Sequence, residues 1–153
     1  MIKLADNSDC AILAELAAKL WSGHSEMELE QEFVELTSDP EAACFIKYIG
    51  EKPVGFAQCQ LRRDYVEGTS TSPVGYLEGI FILDEYRHQG YAKELLSCCE
   101  KWAWEKNCTE FASDCEIYND VSLHFHLAMG FEEAGRIICF KKALKSIDKE
   151  TLL

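Results

Sequence analysis

A chain of 153 residues with 48% hydrophobic and 27% charged residues has the size and composition of one globular domain, which excludes a disordered or fibrous chain. Its 27 acidic against 15 basic residues leave a net charge of -12, a field that repels nucleic acid and anionic membranes and draws cations inward. Neither a nucleic-acid nor a membrane partner is therefore expected, whereas a cationic ligand is.

Residues 2–5 alternate as a short first strand. Ser8 and Asp9 offer N-caps to a helix whose Leu13, Leu16, Ala17, Leu20 and Trp21 share one face, and Gly23 ends it. A second helix over 26–37 repeats the pattern with Leu29, Phe33 and Leu36, and Asp39-Pro40 closes it. Residues 44–49 and 54–62 read as the two arms of a hairpin turning at 50–53, and 66–73 form a loop. The run 74–83 is almost wholly apolar and bounded by turn signals, as a central strand buried on both faces would be. A helix over 90–106 carries Ala92, Leu95, Leu96, Cys99, Trp102 and Ala103 inward; a strand over 110–114 follows, then a helix over 119–129 closed by Gly130. Residues 136–141 complete the pattern as a last strand, and the polar tail 143–153 is expected to be mobile. The predicted order is β-α-α-β-β-β-α-β-α-β, a single domain of α/β (α+β) class over 1–153 with a mixed central sheet flanked by helices.

The eight cysteines are scattered, with no C-x-x-C pair, so neither a zinc site nor a disulfide framework is expected. Most lie in apolar periodic segments, where a free thiol acts as a small hydrophobe. No basic region followed by an apolar stretch opens the chain, and no run approaches the ~18 apolar residues of a membrane helix. A reducing cytoplasm is the expected compartment.

One segment carries chemistry. A buried strand that runs into a glycine-containing turn and then a helix presents unpaired backbone N–H groups at the helix's positive end, a ready phosphate site. Gly90 lets backbone approach a pyrophosphate, Ala92 keeps the next inward position small, and Arg87 stands where it pairs with phosphate or braces the loop. No Walker-type G-x-x-x-x-G-K-[ST] is present, and the turn has only one glycine of a dinucleotide fingerprint.

The stretch from Glu78 to Ala92 resembles motif A of the GNAT superfamily of acyl-CoA-dependent N-acetyltransferases, a strand followed by R/Q-x-x-G-x-G/A. Asn119 with Met129-Gly130-Phe131 resembles its motif B. The resemblance implies acetyl-CoA as co-substrate and no metal. It implies that Ile80, Phe81 and Ile82 pair with the pantetheine arm, that Arg87, His88, Gln89, Gly90, Tyr91, Ala92 and Lys93 hold the pyrophosphate, and that Asn119 bonds the pantetheine or carbonyl region.

Within the superfamily, Trp21-Ser22-Gly23-His24, Arg63-Asp64-Tyr65-Val66, Ser72-Pro73-Val74, Leu77-Glu78-Gly79-Ile80-Phe81 and Ala112-Ser113-Asp114 look like the bacterial aminoglycoside 6'-N-acetyltransferases, over residues 1 to about 142. That branch implies a polycationic aminoglycoside partner, held by Glu78 and Asp114 with Trp21, His24 and Tyr65 as further walls. Asp114 or Glu78 would take the amine's proton, directly or through water, and relatives often dimerise, with residues 136–141 exchanged or paired across the interface. The structural alternatives are a buried ion pair for Glu78, a cap or turn for Asp114, core packing for Trp21 and Tyr65, and an exposed polar residue for His24. Many superfamily members carry a tyrosine four residues before the Gly-Phe pair to protonate the departing thiolate. Here His126 stands there, and an exposed helical residue is the favoured reading. Another amine acceptor, such as a polyamine or protein amine, and a non-enzymatic acyl-CoA-binding module are the rival functions.

Overall fold

The computed structural model describes residues 1–146; of the tail expected to be mobile, residues 147–153 lie outside the described residues. Five strands form one sheet in sequence order: β1 (Ile2–Leu4), β2 (Ala42–Ile49), β3 (Lys52–Arg62), β4 (Val74–Ile82) and β5 (Phe111–Ser113). The first four pair antiparallel and β5 joins β4 in parallel. Helices α1 (Cys10–Leu20) and α2 (Glu26–Ser38) cover one face. Helix α3 (Tyr91–Glu105) covers the other, and Phe125 and Met129 bring α4 (Asp120–Ala128) to the same side.

The helical periodicity explains which faces are buried. Leu13, Leu16 and Ala17 of α1 and Leu29 and Phe33 of α2 pack on Cys44, Ile46 and Phe56. Leu95, Leu96 and Cys99 of α3 pack on Ala43, Ala57, Cys59, Leu77 and Ile82. Each buried Leu or Phe contributes about 1.5–3 kcal/mol relative to exposure. The hairpin arms, the central strand and four helices fall where the period places them, within a few residues. The α1 cap differs: Asp6, not Ser8, caps a 3₁₀ turn over Asn7–Asp9, with Asp9 closing a reciprocal capping box, and α1 starts behind it. Asp9 is buried because it also receives Lys3 at 2.9 Å.

The expected last strand does not form. Residues 136–141 take no regular structure and have no ladder partners, and Ile137, Ile138 and Phe140 are 75%, 80% and 90% exposed. The chain leaves Gly130 in a left-handed turn, and residues 134–135 then pass over the loop at Glu67 and Gly68 instead of folding back onto β5. The apolar run Ile137 to Phe140 suits a strand, but a strand exists only against an edge. The outer edge of β5 accordingly stays bare among the described residues.

Candidate active site

The central feature is a fork in the sheet. β5 pairs with β4 only at Gly75, Tyr76 and Leu77, while β3 follows β4 through to Ile82. Beyond Leu77 the outer edge of β4 is therefore unpaired among the described residues. Glu78 is the extra residue of a β-bulge, since Leu77 faces Cys59 and Gly79 faces Gln58 with Glu78 unmatched between them. The bulge reverses the strand: Leu77 points to α3, and Gly79, two residues on, faces Trp21 of the opposite layer. The Leu83 N–H donates to the Val54 carbonyl of the hairpin. By alternation Phe81 also bonds toward β3, which leaves Ile80 and Ile82 facing the open edge. The Ile82 carbonyl faces away from β3, where it accepts from Arg87 Nε at 3.0 Å.

From Ile82 the chain passes a 3₁₀ turn at Asp84–Tyr86 and reaches α3 through His88 (φ 63) and Gly90 (φ 84), both left-handed. Gly90 is the N-cap of α3 and has no side chain to satisfy the orphan N–H groups. The backbone N–H groups of residues 88–93 donate to no protein acceptor among the described residues. They ring a surface where a Cβ on Gly90 meets nothing within 4 Å. Such an exposed nest at a helix N-terminus fits a pyrophosphate. Of the residues expected here, Arg87 braces the loop: besides the Ile82 carbonyl it pairs with Asp84 at 3.2 Å and lies over Phe81. Gln89 accepts from the Tyr91 hydroxyl, Ala92 and Tyr91 pack partly into the α3 core, and His88 and Lys93 are exposed. Asn119 caps α4, its Oδ1 accepting from the Ser122 N–H at 3.1 Å.

On the acceptor side, Glu78 is not alone. Arg62 Nε and Nη2 each donate to its carboxylate at 2.9 Å, a bidentate pair. The Arg62 guanidinium lies 3.4 Å over the ring of Tyr76, and the Tyr76 hydroxyl donates to Asp114. Glu78, Arg62, Tyr76 and Asp114 thus form one chain of contacts across the mouth of the fork. Burial pushes the Glu78 carboxyl above the usual range, opposed by the Arg62 bonds and charge. Burial, and then the bond to Asp114, push the Tyr76 phenol up so that it stays a donor at neutral pH. The ion pair anticipated as the alternative for Glu78 is therefore present, and Asp114 stands at an exposed strand end rather than in a helix cap.

Trp21 is half-buried, edge-on to Phe56, and its ring covers Gly79. An added Cβ on Gly79 would lie 2.6 Å from that ring, so Gly79→Ala should displace Trp21 and cost about 1–3 kcal/mol; an unchanged melting temperature would show that the ring yields freely. Tyr65 is 77% exposed, which removes core packing as its role. His24 is exposed, its Nδ1 3.9 Å from a Glu28 carboxylate oxygen.

Two residues escaped the sequence reading. Arg62 immediately precedes the Arg63-Asp64-Tyr65 block, and Tyr76 precedes Glu78 by two along β4; a strand-period reading around Glu78 would have found Tyr76. His126 is corrected: it is half-buried rather than exposed. Its Nδ1 bonds the Ser122 carbonyl at 2.7 Å and its Nε2 meets Ser113 Oγ at 2.8 Å, with Phe131 edge-on to the ring. Helix packing against β5 decides this. The cysteines are all free, and five of the eight are buried. Burial pushes the Cys44 thiol up to about 12, the behaviour of a core residue rather than a nucleophile.

Residues 11–131 match the acetyltransferase (GNAT) family. The chain belongs to that family. Among its relatives are the aminoglycoside N(6')-acetyltransferases type 1 of Salmonella typhimurium, 39% identical over 83% of this chain and 88% of the relative, and of Acinetobacter haemolyticus, 37% identical over 94% and 98%. Two solved structures resemble it closely. AAC(6')-Iy in complex with the bisubstrate analog CoA-S-monomethyl-acetylneamine superposes with a TM-score of 0.90, at 35% identity over 94% of this chain and 98% of that one. Apo AAC(6')-IG from Acinetobacter haemolyticus gives 0.89, at 36% over 95% and 99%. This chain is an acetyl-CoA-dependent acetyltransferase of mixed α/β fold.

Proposed function

We propose that the protein transfers the acetyl group of acetyl-CoA to the 6'-amino group of an aminoglycoside, by direct attack within a ternary complex, and so confers antibiotic resistance. The observation that carries the acceptor is the carboxylate pair Glu78 and Asp114 at the mouth of the fork, next to the open edge of β4. The names of relatives covering most of the chain, and the aminoglycoside half of the bisubstrate analog in the similar structure, support the same acceptor. The net charge of -12 favours encounter with a polycation.

In this reading the pantetheine arm lies along residues 80–82, adding to β4 as a strand would. The Ile82 N–H, on the open edge, polarises the thioester carbonyl. The pyrophosphate rests on the N–H groups of residues 88–93, and Asn119 lies toward the pantetheine. An aliphatic amine with a pKa around 10 must lose a proton before attack. Asp114 is the better acceptor of the two carboxylates: Arg62 occupies both oxygens of Glu78, whereas among the described residues Asp114 receives only Tyr76, on Oδ2. Trp21 and Tyr65 wall the acceptor side, and His24 contacts the sugar from the end of α1.

CoA release from acetyl-CoA should be rapid with kanamycin or tobramycin and slow with spermidine or a basic peptide. Turnover confined to the polyamine or peptide would replace the acceptor, and CoA binding without any turnover would leave a binding module.

The molecule works as a homodimer in this reading. An arm with Ile137, Ile138 and Phe140 exposed, together with the edge of β5 left bare among the described residues, suits pairing with a second copy. Ile138→Asp combined with Phe140→Asp should shift sedimentation from dimer to monomer; a wild-type monomer, or a variant dimer, would count against the arm. No helix among the described residues is long and apolar enough to cross a membrane. A reducing cytoplasm suits eight free cysteines.

A further inference from the structure

We propose that Arg62 and Tyr76 are positioning residues that lock Glu78 and Asp114 into one acceptor-binding unit, with Glu78 as its anchor and Asp114 as its working carboxylate. The inference rests on the acceptor site proposed above, and goes beyond it by assigning a role to two residues that neither the motifs nor the substrate requires.

Four features carry it. The contact between Arg62 and Glu78 is bidentate, the geometry that fixes orientation as well as charge. The same guanidinium lies flat at 3.4 Å on Tyr76, so Arg62 holds two partners at once. Tyr76 is 6% exposed, and its hydroxyl is committed to Asp114. Finally, Glu78 sits at the bulge, where no regular ladder holds its backbone, so its side-chain partner fixes where it points. Glu78 and Arg62 cancel in charge, which leaves the unit with the single negative charge of Asp114 for the ammonium. The half-buried carboxyl of Glu78, without its guanidinium, would be drawn toward the neutral acid.

The residues that face this unit are few. Trp21 covers the neighbouring Gly79, Ser113 flanks Asp114 and is held by His126, and Arg63 is engaged by Glu41. Arg63 therefore does not substitute for Arg62.

The test combines Arg62→Ala, Arg62→Lys, Tyr76→Phe and the double variant Arg62→Ala/Tyr76→Phe. Arg62→Ala should lower kcat/KM for the aminoglycoside about tenfold to a hundredfold, the scale of a lost hydrogen bond to a charged group. KM for acetyl-CoA should not move. Millimolar guanidinium chloride should restore part of the activity of Arg62→Ala and none of Tyr76→Phe. The double variant should lose less than the product of the single losses. The acid limb of the pH profile should move upward in Arg62→Ala, because the guanidinium that lowers the Glu78 pKa is gone while burial remains.

A carbon-13 titration of the Glu78 carboxyl, assigned with Glu78→Gln, reads the same shift without any substrate. If wild-type protein fails to turn over aminoglycosides, the acceptor reading falls while this titration still tests the coupling. Should Arg62→Ala not fold, Arg62→Lys carries the test, with a smaller upward shift of the same sign. An unshifted Glu78 midpoint, multiplicative losses, or activity lost without rescue at an unchanged pH profile would overturn the proposal.

Discussion

Asp114→Asn should lower kcat by about a hundredfold or more, the range for removing a positioned general base. The amide keeps the volume of the side chain and can still accept from Tyr76, so the fold at the end of β5 is preserved. What is lost is the negative charge and the basic oxygen. The remaining activity should then rise with pH toward the amine's own pKa near 10, about tenfold per unit, as free amine becomes available without a base. Wild-type activity should flatten well below that pH. Trp21→Phe, which trims only a wall, should cost far less in kcat. Steady-state CoA release at saturating acetyl-CoA distinguishes these cases. A kcat within threefold of wild type, or an Asn variant with the wild-type pH profile, would take Asp114 out of the chemistry.

Gly90→Val should raise KM for acetyl-CoA by about tenfold or more, equivalent to some 1.4 kcal/mol of donor binding. Two effects add. Gly90 has φ 84, where an L-residue costs about 1–2 kcal/mol and a β-branched one more. The side chain would also project from the ring of free N–H groups into the space a pyrophosphate needs. On the protein side a Cβ here meets nothing within 4 Å, so the fold survives and the loss falls on the donor. KM for the aminoglycoside should stay near wild type, and Gly90→Ala should fall between the two. An unchanged KM for acetyl-CoA in the valine variant would move the pyrophosphate away from this helix end.

These two positions differ in how they could be read. Gly90 is a local matter: strand, turn and helix signals lie within one short stretch, and a glycine at the helix start has the same physical meaning in any context. The core faces of α1, α2 and α3 were legible for the same reason, since a 3.6-residue period determines which side meets the sheet. Asp114 and Glu78 could be picked out by resemblance and Tyr76 by its place two residues before Glu78, but the contacts among them could not. Arg62 reaches Glu78 from a neighbouring strand, and Tyr76 reaches Asp114 from another. Both contacts depend on strand register and on a bulge, which no local pattern announces.

His126 and the arm show the same limit from two sides. A histidine on a helix with modest periodicity reads as exposed, yet the docking of α4 onto β5 places it against Ser113 and Phe131. Residues 136–141 are apolar enough for a strand, yet form none, because strand formation needs a partner edge and the chain travels over residues 67–68 instead.

By itself, then, the sequence determined the mixed α/β class, the faces of its helices, a glycine turn opening a helix at residues 87–92 and an excess of negative charge. Periodicity, turn chemistry and net charge are carried by neighbouring residues or by the whole composition, so they survive without coordinates. Only the tertiary structure decided that β4 and β5 part beyond Leu77, that Glu78 already holds a guanidinium, and that Asp114 receives Tyr76 on one oxygen and, among the described residues, no hydrogen bond on the other. Those features arise between segments distant along the chain, and register and packing, not local preference, bring them together.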